Sequence, residues 1–170
     1  MKKLIMLFAA IIMIAGFSTK LTAQVTESAT ATATIVAPIA ITNTVDMNFG
    51  NVAVSGTAGT VILAPASTRT ISGEVTLPVN EGTVAAASFT VTGATDYTYD
   101  ITLPSVDYII TEIGSATMIV NTFTSDPSGT GVLTAGEQIL NVGATLNVGA
   151  SQATGVYTNA TGFEVTVNYN

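Results

Sequence analysis

The side chains of this sequence that are best suited to chemistry are three aspartates close to three tyrosines. Paired carboxylates can hydrolyse a glycosidic bond, and aromatic rings beside them can contact a sugar. The alternative interpretation is that these are solvated loop acids next to half-buried tyrosines, because exposed acids are the norm. The residues concerned are Asp96, Asp100 and Asp107 beside Tyr97, Tyr99 and Tyr108.

Residue types exclude most other catalytic chemistry. The sequence has no His and no Cys, and its lysines are confined to the first 20 residues. Beyond residue 23 it therefore lacks the residues for Ser-His-Asp, Cys-His or lysine Schiff-base catalysis. No acidic run has the spacing of a dedicated calcium loop. We expect a protein that is not an enzyme and that needs no cofactor and no metal.

The N-terminus has the pattern of a secretory signal peptide. Two lysines precede an apolar run over residues 4–17, and small and polar residues lead to Ala23, after which we expect cleavage. The run is shorter than the roughly 20 residues of a membrane-spanning helix, and no later segment comes close to that length. We expect a signal peptide at 1–23 and export to the periplasm, the cell surface or the medium, with no membrane-spanning segment after processing.

Charge further limits the partners. After residue 23, Arg69 is the only basic residue, whereas all 11 acidic residues of the sequence lie in this part. Such a chain repels phosphate groups, so nucleic acid is excluded as a partner. We expect Arg69 to pair with Glu74 or with a cross-strand acid.

Strand patterns recur throughout the rest of the sequence, with β-branched residues in alternation and Gly, Pro, Asn or Asp between the runs. No stretch after residue 24 has the period of an amphipathic helix. The pattern predicts one antiparallel β-sandwich domain over residues 24–170, of immunoglobulin-like or jelly-roll type, with a closed barrel as the second choice. The predicted strands are 28–37, 39–44, 45–49, 61–63, 69–72, 74–77, 87–92, 97–103, 108–112, 117–124, 137–148 and 162–170.

Local features predict some of the pairings. Strands 87–92 and 97–103 are expected to form a hairpin, and 108–112 and 117–124 an antiparallel pair. Alternate apolar positions of the strands are expected to form the core. The predicted core residues are Ile35, Phe49, Ile62, Ile71, Val75, Phe89, Val91, Ile101, Leu103, Met118, Val120, Leu140, Leu146, Val165 and Val167.

Two short patterns stand out. Leu-Asn-Val-Gly-Ala occurs at 140–144 and again at 146–150. Two copies are too few for a solenoid, so we expect one strand with a bulge or kink near Gly143. Ala and Thr alternate at 29–34, which is typical either of a first edge strand or of a strand that pairs with the edge of another subunit.

Several motifs along the chain belong together. They are Ala-Thr-Ala-Thr-Ile-Val-Ala-Pro-Ile at 31–39, Met-Asn-Phe-Gly-Asn-Val at 47–52, Gly-Thr-Val-Ile-Leu-Ala-Pro at 59–65, the repeat at 140–150, and the Phe-Glu-Val-Thr-Val-Asn-Tyr end at 163–169. Together they resemble a bacterial secreted family catalogued as domain of unknown function 4402. That family is similar to the spore coat protein U domain and to pilins of chaperone-usher systems.

The resemblance to pilins implies a C-terminal strand that pairs with a periplasmic chaperone and an N-terminal extension that completes the sandwich of the next subunit. The donor segment would be residues 25–33. Two features depart from pilins: the disulfide of many pilins is absent, and the extension before the first predicted strand is short. The implied contacts are Val25, Ala29, Ala31 and Ala33 in the donor segment, and Phe163, Val165, Val167 and Tyr169 in the C-terminal strand.

Two functional hypotheses follow. The first is a non-enzymatic, pilin-like structural or adhesive subunit of the bacterial surface, such as a fimbrial subunit, that self-assembles by exchange of β-strands. The second is a self-contained secreted module that binds carbohydrate or another protein through the tyrosine-rich segment at 97–108.

Overall fold

The fold is described from a computed structural model, which covers residues 23–114 and 116–170. The predicted signal peptide lies outside these residues, except for Ala23. Residues 23–34 and residues 35–170 belong to different units of the chain. In the first unit, residues 23–34 are exposed and have no regular secondary structure. The second unit contains all the strands described below.

The protein is all-β, as the sequence predicts. In the described residues, helix is limited to a short 3-10 turn at Thr134–Gly136. The strands are β1 (Ala40–Val45), β2 (Asn48–Phe49), β3 (Ala53–Leu63), β4 (Arg69–Thr76), β5 (Val84–Ala85), β6 (Ala87–Thr92), β7 (Thr98–Thr102), β8 (Tyr108–Thr111), β9 (Thr117–Asp126), β10 (Thr130–Val132), β11 (Glu137–Val148) and β12 (Thr166–Tyr169).

A large antiparallel sheet is built around β11. One edge of β11 pairs with β6 along residues 137–142 and with β3 along 144–148, and the other edge pairs with β9. The outer strands are β1 beside β6, β4 beside β3 and β8 beside β9, which confirms the predicted pairing of 108–112 with 117–124. This sheet curls into a half-barrel.

The bulge predicted near Gly143 is confirmed. The register between β11 and β9 shifts between Gly143 and Thr145, where β11 also changes its neighbour from β6 to β3. A Cβ atom on Gly143 would lie 2.1 Å from the carbonyl oxygen of Leu63. Glycine is therefore required at the point where the chain after β3 crosses β11.

Two small sheets complete the fold, and they correct one prediction. β7 lies between β10 and β12 in a three-stranded sheet, and β2 pairs with β5. The expected hairpin of 87–92 with 97–103 is wrong, because β6 and β7 belong to different sheets. Both strands carry inward apolar residues, including Val91 and Tyr99, so they face each other across the core instead of pairing side by side.

The interior consists of two clusters. The first lies between the large sheet and the three-stranded sheet, and its buried residues are Ala87, Phe89, Val91, Tyr99, Leu133, Leu140, Val142 and Val167. The second lies on the other half of the large sheet, and its buried residues are Val61, Val75, Val120, Ala144, Leu146 and Val148.

Most predicted core residues are buried or partly buried, and three are not. Ile35 is 96% exposed, and the expected strand at 28–37 is absent. Ile62 is half exposed because Val61 and Leu63 on either side of it point inward, and side chains alternate along a strand. Ile71 is half exposed because it lies on β4, an outer strand of the sheet.

Candidate functional site

An open groove lies over the second core cluster. Its volume is about 1130 Å³. Residues 46–54 line one side, and residues 152–163, which we call the strap, line the other. Apolar side chains of the large sheet form the floor; among them are Ile110, Met118, Val120, Leu146 and Val148.

The groove exists because the two halves of the large sheet are covered unequally. The three-stranded sheet contributes Tyr99 and Val167 to the first cluster. Among the described residues, none from β7, β10 or β12 packs against the second cluster, which is covered instead by partly buried residues such as Phe49 and Val54. The three-stranded sheet therefore covers only one half of the large sheet, and the other half is covered by loop residues and by the short strand β2.

Arg69 fixes the first side of the groove. Its Nη1 donates to the carbonyl oxygens of Phe49 at 2.7 Å and Asn51 at 3.1 Å, and its Nη2 lies 3.5 Å from Oε2 of Glu81. Its side chain is only 3% exposed. The guanidinium thus holds the loop after β2 in place by hydrogen bonds. Its acidic partner is Glu81, in the loop between β4 and β5, so the expectation of Glu74 or a cross-strand acid is wrong.

Glu74 has a different role in the same region. Its carboxylate accepts a hydrogen bond from the hydroxyl of Ser55, across the irregular part of the pairing between β3 and β4. Hydrogen bonds from Ser55 and, to a lesser extent, Thr57 stabilise the charged form and lower the pKa of Glu74 below its ordinary value.

The strap on the second side meets the outer edge of β8. The backbone N–H of Thr111 donates to the carbonyl of Thr158 at 2.9 Å, and the N–H of Thr158 donates to the carbonyl of Thr111 at 3.1 Å. The side-chain amide of Asn159 donates to the carbonyl of Ile109 at 2.8 Å. The Tyr108 hydroxyl donates to the Asn159 carbonyl at 3.0 Å. Backbone pairing is therefore limited to one residue pair.

The two ends of the strap are anchored differently. At its start, Nε2 of Gln152 donates to the Thr117 carbonyl at 3.2 Å and to the Tyr157 hydroxyl at 2.8 Å. At its end, the ring of Phe163 lies 4.9 Å from Phe123 and 5.8 Å from Tyr108, measured between centroids. The start is held by polar contacts and the end by aromatic packing.

The C-terminal residues singled out from the sequence come together on the core of their own chain. Val167 is buried, and Phe163, Val165 and Tyr169 are partly buried against the first cluster. Val167 and Tyr169 belong to β12, which pairs with β7. Phe163 and Val165 precede the strand, which is shorter than the predicted 162–170.

The N-terminal residues singled out from the sequence lie outside any strand. All four are exposed, and the largest of them, Val25, is 82% exposed. β1 begins only at Ala40. The segment that precedes the first strand is consequently longer than the short extension expected from the sequence. The four residues are Val25, Ala29, Ala31 and Ala33.

The structure separates the three tyrosines of the sugar-site hypothesis. Tyr99 is fully buried; its hydroxyl donates to Oε1 of Gln138 at 2.9 Å, and burial raises its pKa. Tyr108 lines the groove, and its pKa is raised mainly by burial. Tyr97 is about half exposed. They do not form one common contact surface.

The aspartates of the same hypothesis have local partners. Asp100 accepts from the Thr130 hydroxyl at 3.3 Å, and Asp107 accepts from the amide of Asn121 at 3.0 Å. Asp96 has a positive φ of 64°. In the part of the chain that the structure describes, no three acidic side chains come together as a metal site. No helix there is long and apolar enough to cross a membrane.

Sequence reasoning did not identify the groove. Its lining comes from residues that lie far apart in the chain. Tyr108 and Phe163 were singled out from the sequence for other roles. Five more were predicted as core residues, namely Phe49, Phe89, Met118, Val120 and Leu146. The useful pattern is the stretch at 149–161, which has turn residues and no predicted strand. Such a stretch marks the part of the sandwich that the three-stranded sheet does not cover.

Comparison with known proteins gives one match. The family model described as Domain of unknown function (DUF4402) matches residues 39–169, which include every strand described above. No curated protein and no solved structure matched the chain. The family description carries no activity, so the function has to be inferred from the geometry.

Proposed function

This chain belongs to the DUF4402 family, and we propose that it is a non-enzymatic structural or adhesive subunit of the bacterial surface, which assembles when a β-strand of one copy fills the groove of another. The observation that carries the proposal is the open groove over the second core cluster. The proposal also rests on the N-terminal pattern at 1–23, which is typical of exported proteins.

The groove has the chemistry that an added strand requires. Its floor is apolar, with Ile110, Met118 and Leu146 among its residues. Polar residues of 46–54 and of the strap surround this floor, so the lining combines an apolar base with polar sides. An added strand points alternate side chains to one face, so it would cover the floor with one face and present the other to water.

The N-terminal segment of a second copy is the occupant that fits. Residues 24–34 are exposed and form no strand. When the segment is extended, Val25, Ala29, Ala31 and Ala33 lie on one face. Glu27 lies on the same face, so its uninterrupted apolar part is the run from Ala29 to Ala33. At the rise of a β-strand, the 11 residues of the segment span roughly 36 Å. Thr30, Thr32 and Thr34 would then face water.

A chaperone belongs to the same proposal. A newly exported chain would expose the apolar residues of the C-terminal segment until β12 docks on β7. A periplasmic chaperone would pair with this segment, and its contacts would be Phe163, Val165, Val167 and Tyr169.

The test compares variants on the two faces of the donor segment. The mature protein is concentrated and run on a detergent gel with and without boiling. We expect a ladder that collapses to the monomer on boiling, because strand-exchanged polymers resist detergent. Ala31→Asp should abolish the ladder by placing a charge on the apolar floor. Thr30→Asp, one residue away on the opposite face, should retain it.

Other outcomes contradict the proposal. If the wild-type protein is a monomer by light scattering and in both gel lanes, strand exchange is wrong. The secreted binding module then becomes the better hypothesis, and a glycan array is the next experiment. If Ala31→Asp and Thr30→Asp assemble equally well, residues 24–34 are not the donor segment.

A further inference from the structure

We propose that the strap, residues 152–163, is a placeholder that leaves the edge of β8 when the groove is filled, and that the incoming strand pairs with that edge. This inference rests on the proposed function and names the pairing surface for the added strand. The partner is residues 24–34 of a second copy of this chain.

The edge of β8 is incompletely paired in the free subunit. One edge of β8 is fully paired with β9 over Tyr108–Thr111. Along a strand, the backbone N–H and C=O groups of alternate residues point to opposite edges. In β8, those of Ile109 and Thr111 point away from β9, to the other edge. The strap satisfies Thr111 through the backbone of Thr158, but it reaches the Ile109 carbonyl only through the side chain of Asn159. The side-chain N–H of Asn159 thus occupies the position that a backbone N–H would take in a paired strand.

Polar contacts hold the middle of the strap. Val156, its largest aliphatic residue, is 79% exposed, so this residue adds little apolar burial. The contacts of the strap to β8 and β9 are hydrogen bonds made by Thr158, Asn159 and Gln152. Hydrogen bonds of this kind are exchanged for equivalent ones, with water or with another strand, at little net change in free energy.

The end of the strap has a natural pivot. Gly162 has a φ of +73°, and Phe163 after it is packed against Phe123 and Tyr108. The rest of the strap can therefore leave β8 while its last residue, Phe163, and β12 keep their places against the first core cluster. Gly162 supplies the backbone freedom that this movement needs.

The edge of β8 and the floor of the groove fit the same added strand. Tyr108 and Ile110 of β8 line the groove, whereas Ile109 and Thr111 carry the outward backbone groups. A strand paired with Ile109 and Thr111 would continue the large sheet, and its inward side chains would lie over the second core cluster. Pairing and apolar burial would be gained together.

A reversible crosslink tests the displacement. Thr111 and Thr158 are directly opposite and exchange both backbone hydrogen bonds, a geometry with about 5.5 Å between Cα atoms, which is within reach of a disulfide. The chain has no cysteine of its own. We expect the oxidised Thr111→Cys, Thr158→Cys variant to assemble at least tenfold more slowly than the wild-type protein, with recovery after reduction.

The control is a crosslink far from the groove. Asp100 and Thr130 are partners in the pairing of β7 with β10, and both are exposed. The Asp100→Cys, Thr130→Cys variant should assemble equally well when oxidised and when reduced. Equal assembly of the oxidised strap variant and this control would overturn the displacement.

Hydrogen exchange provides a test that does not depend on assembly. A strap that opens locally should exchange the amide protons of Thr111 and Thr158 at least a hundredfold faster than those in the centre of β11. Protection equal to that of β11 would overturn the placeholder role even if polymers form. Rapid exchange in a protein that never assembles would refute the proposed function and, with it, the pairing of a second copy at β8.

Discussion

The hydroxyl oxygen of Tyr169 lies 2.8 Å from the carbonyl oxygen of Ala37. The same oxygen accepts a hydrogen bond from the backbone N–H of Ala94 at 2.6 Å. One side chain in the last strand thus bonds both to the residues that precede β1 and to the turn that follows β6. Gly93 leaves room for it, since a Cβ atom there would lie 2.2 Å from the hydroxyl oxygen.

Removing this hydroxyl should destabilise the fold. Tyr169→Phe keeps the ring but removes the hydrogen bonds to the partly buried Ala94 N–H and to the Ala37 carbonyl, which is exposed to water. We expect a loss of about 0.5–1.5 kcal/mol in the free energy of unfolding. Urea denaturation measures it. Tyr97→Phe is the matched control, because the neighbouring Tyr97 hydroxyl makes no hydrogen bond among the described residues. Equal stabilities of the two variants would contradict the role of Tyr169.

The tandem repeat offers a second pair of matched variants, Gly143→Ala and Gly149→Ala. A Cβ on Gly143 would meet backbone atoms of Leu63 and Ala64, whereas one on Gly149 would meet the movable end of the Gln152 side chain. We expect Gly143→Ala to lose about 3 kcal/mol or more and Gly149→Ala to lose less than about 1 kcal/mol. Thermal melts compare the two. Similar melting temperatures would show that β11 can shift at the bulge.

Local pattern predicted much of the fold, and pairing partners decided the rest. The strand at 87–92 and the bulge at Gly143 follow from alternation and from a glycine inside a strand. The alternation of Ala and Thr at 29–34 is equally regular, yet these residues form no strand. Small side chains bury little area, so such a segment becomes a strand only where an edge is available to pair with.

The candidate site could be predicted only in part, for a related reason. The segment proposed as donor and the C-terminal residues are each continuous in the chain, so both could be singled out from the sequence. The groove is lined by residues from Asn43 to Phe163, which lie far apart in the chain. It is open because the three-stranded sheet does not extend over this half of the large sheet. Tyr99 shows the same limit: its position in a tyrosine-rich segment suggested a contact surface, but the alternation of β7 buries it.

Acid should weaken the fold through Glu74. Hydrogen bonds from Ser55 and Thr57 lower its pKa in the folded protein below the ordinary value of 4.5. Its contribution to stability is therefore fully present above pH 4.5 and is lost as the pH falls through the lowered pKa. We expect Glu74→Gln and Ser55→Ala to reduce the pH dependence of the urea midpoint below pH 4.5. An unchanged pH dependence in both variants would show that this carboxylate has no such effect.

Arg69 should make trypsin a direct probe of unfolding. It is the only Lys or Arg after residue 23, and its side chain is 3% exposed and bonded to Phe49 and Asn51. A protease has to bind the residues around the cleaved bond in an extended, accessible form, which the pairing of β4 with β3 prevents. We expect the native mature protein to resist trypsin and the urea-unfolded chain to give two fragments, 24–69 and 70–170. Mass spectrometry after timed digestion measures the rate.

The same digestion also probes the groove, because Arg69 holds one of its sides. Filling the groove should slow cleavage after Arg69 further at a fixed urea concentration. Equally rapid cleavage of polymer and monomer would show that the added strand does not restrain the local unfolding that exposes Arg69.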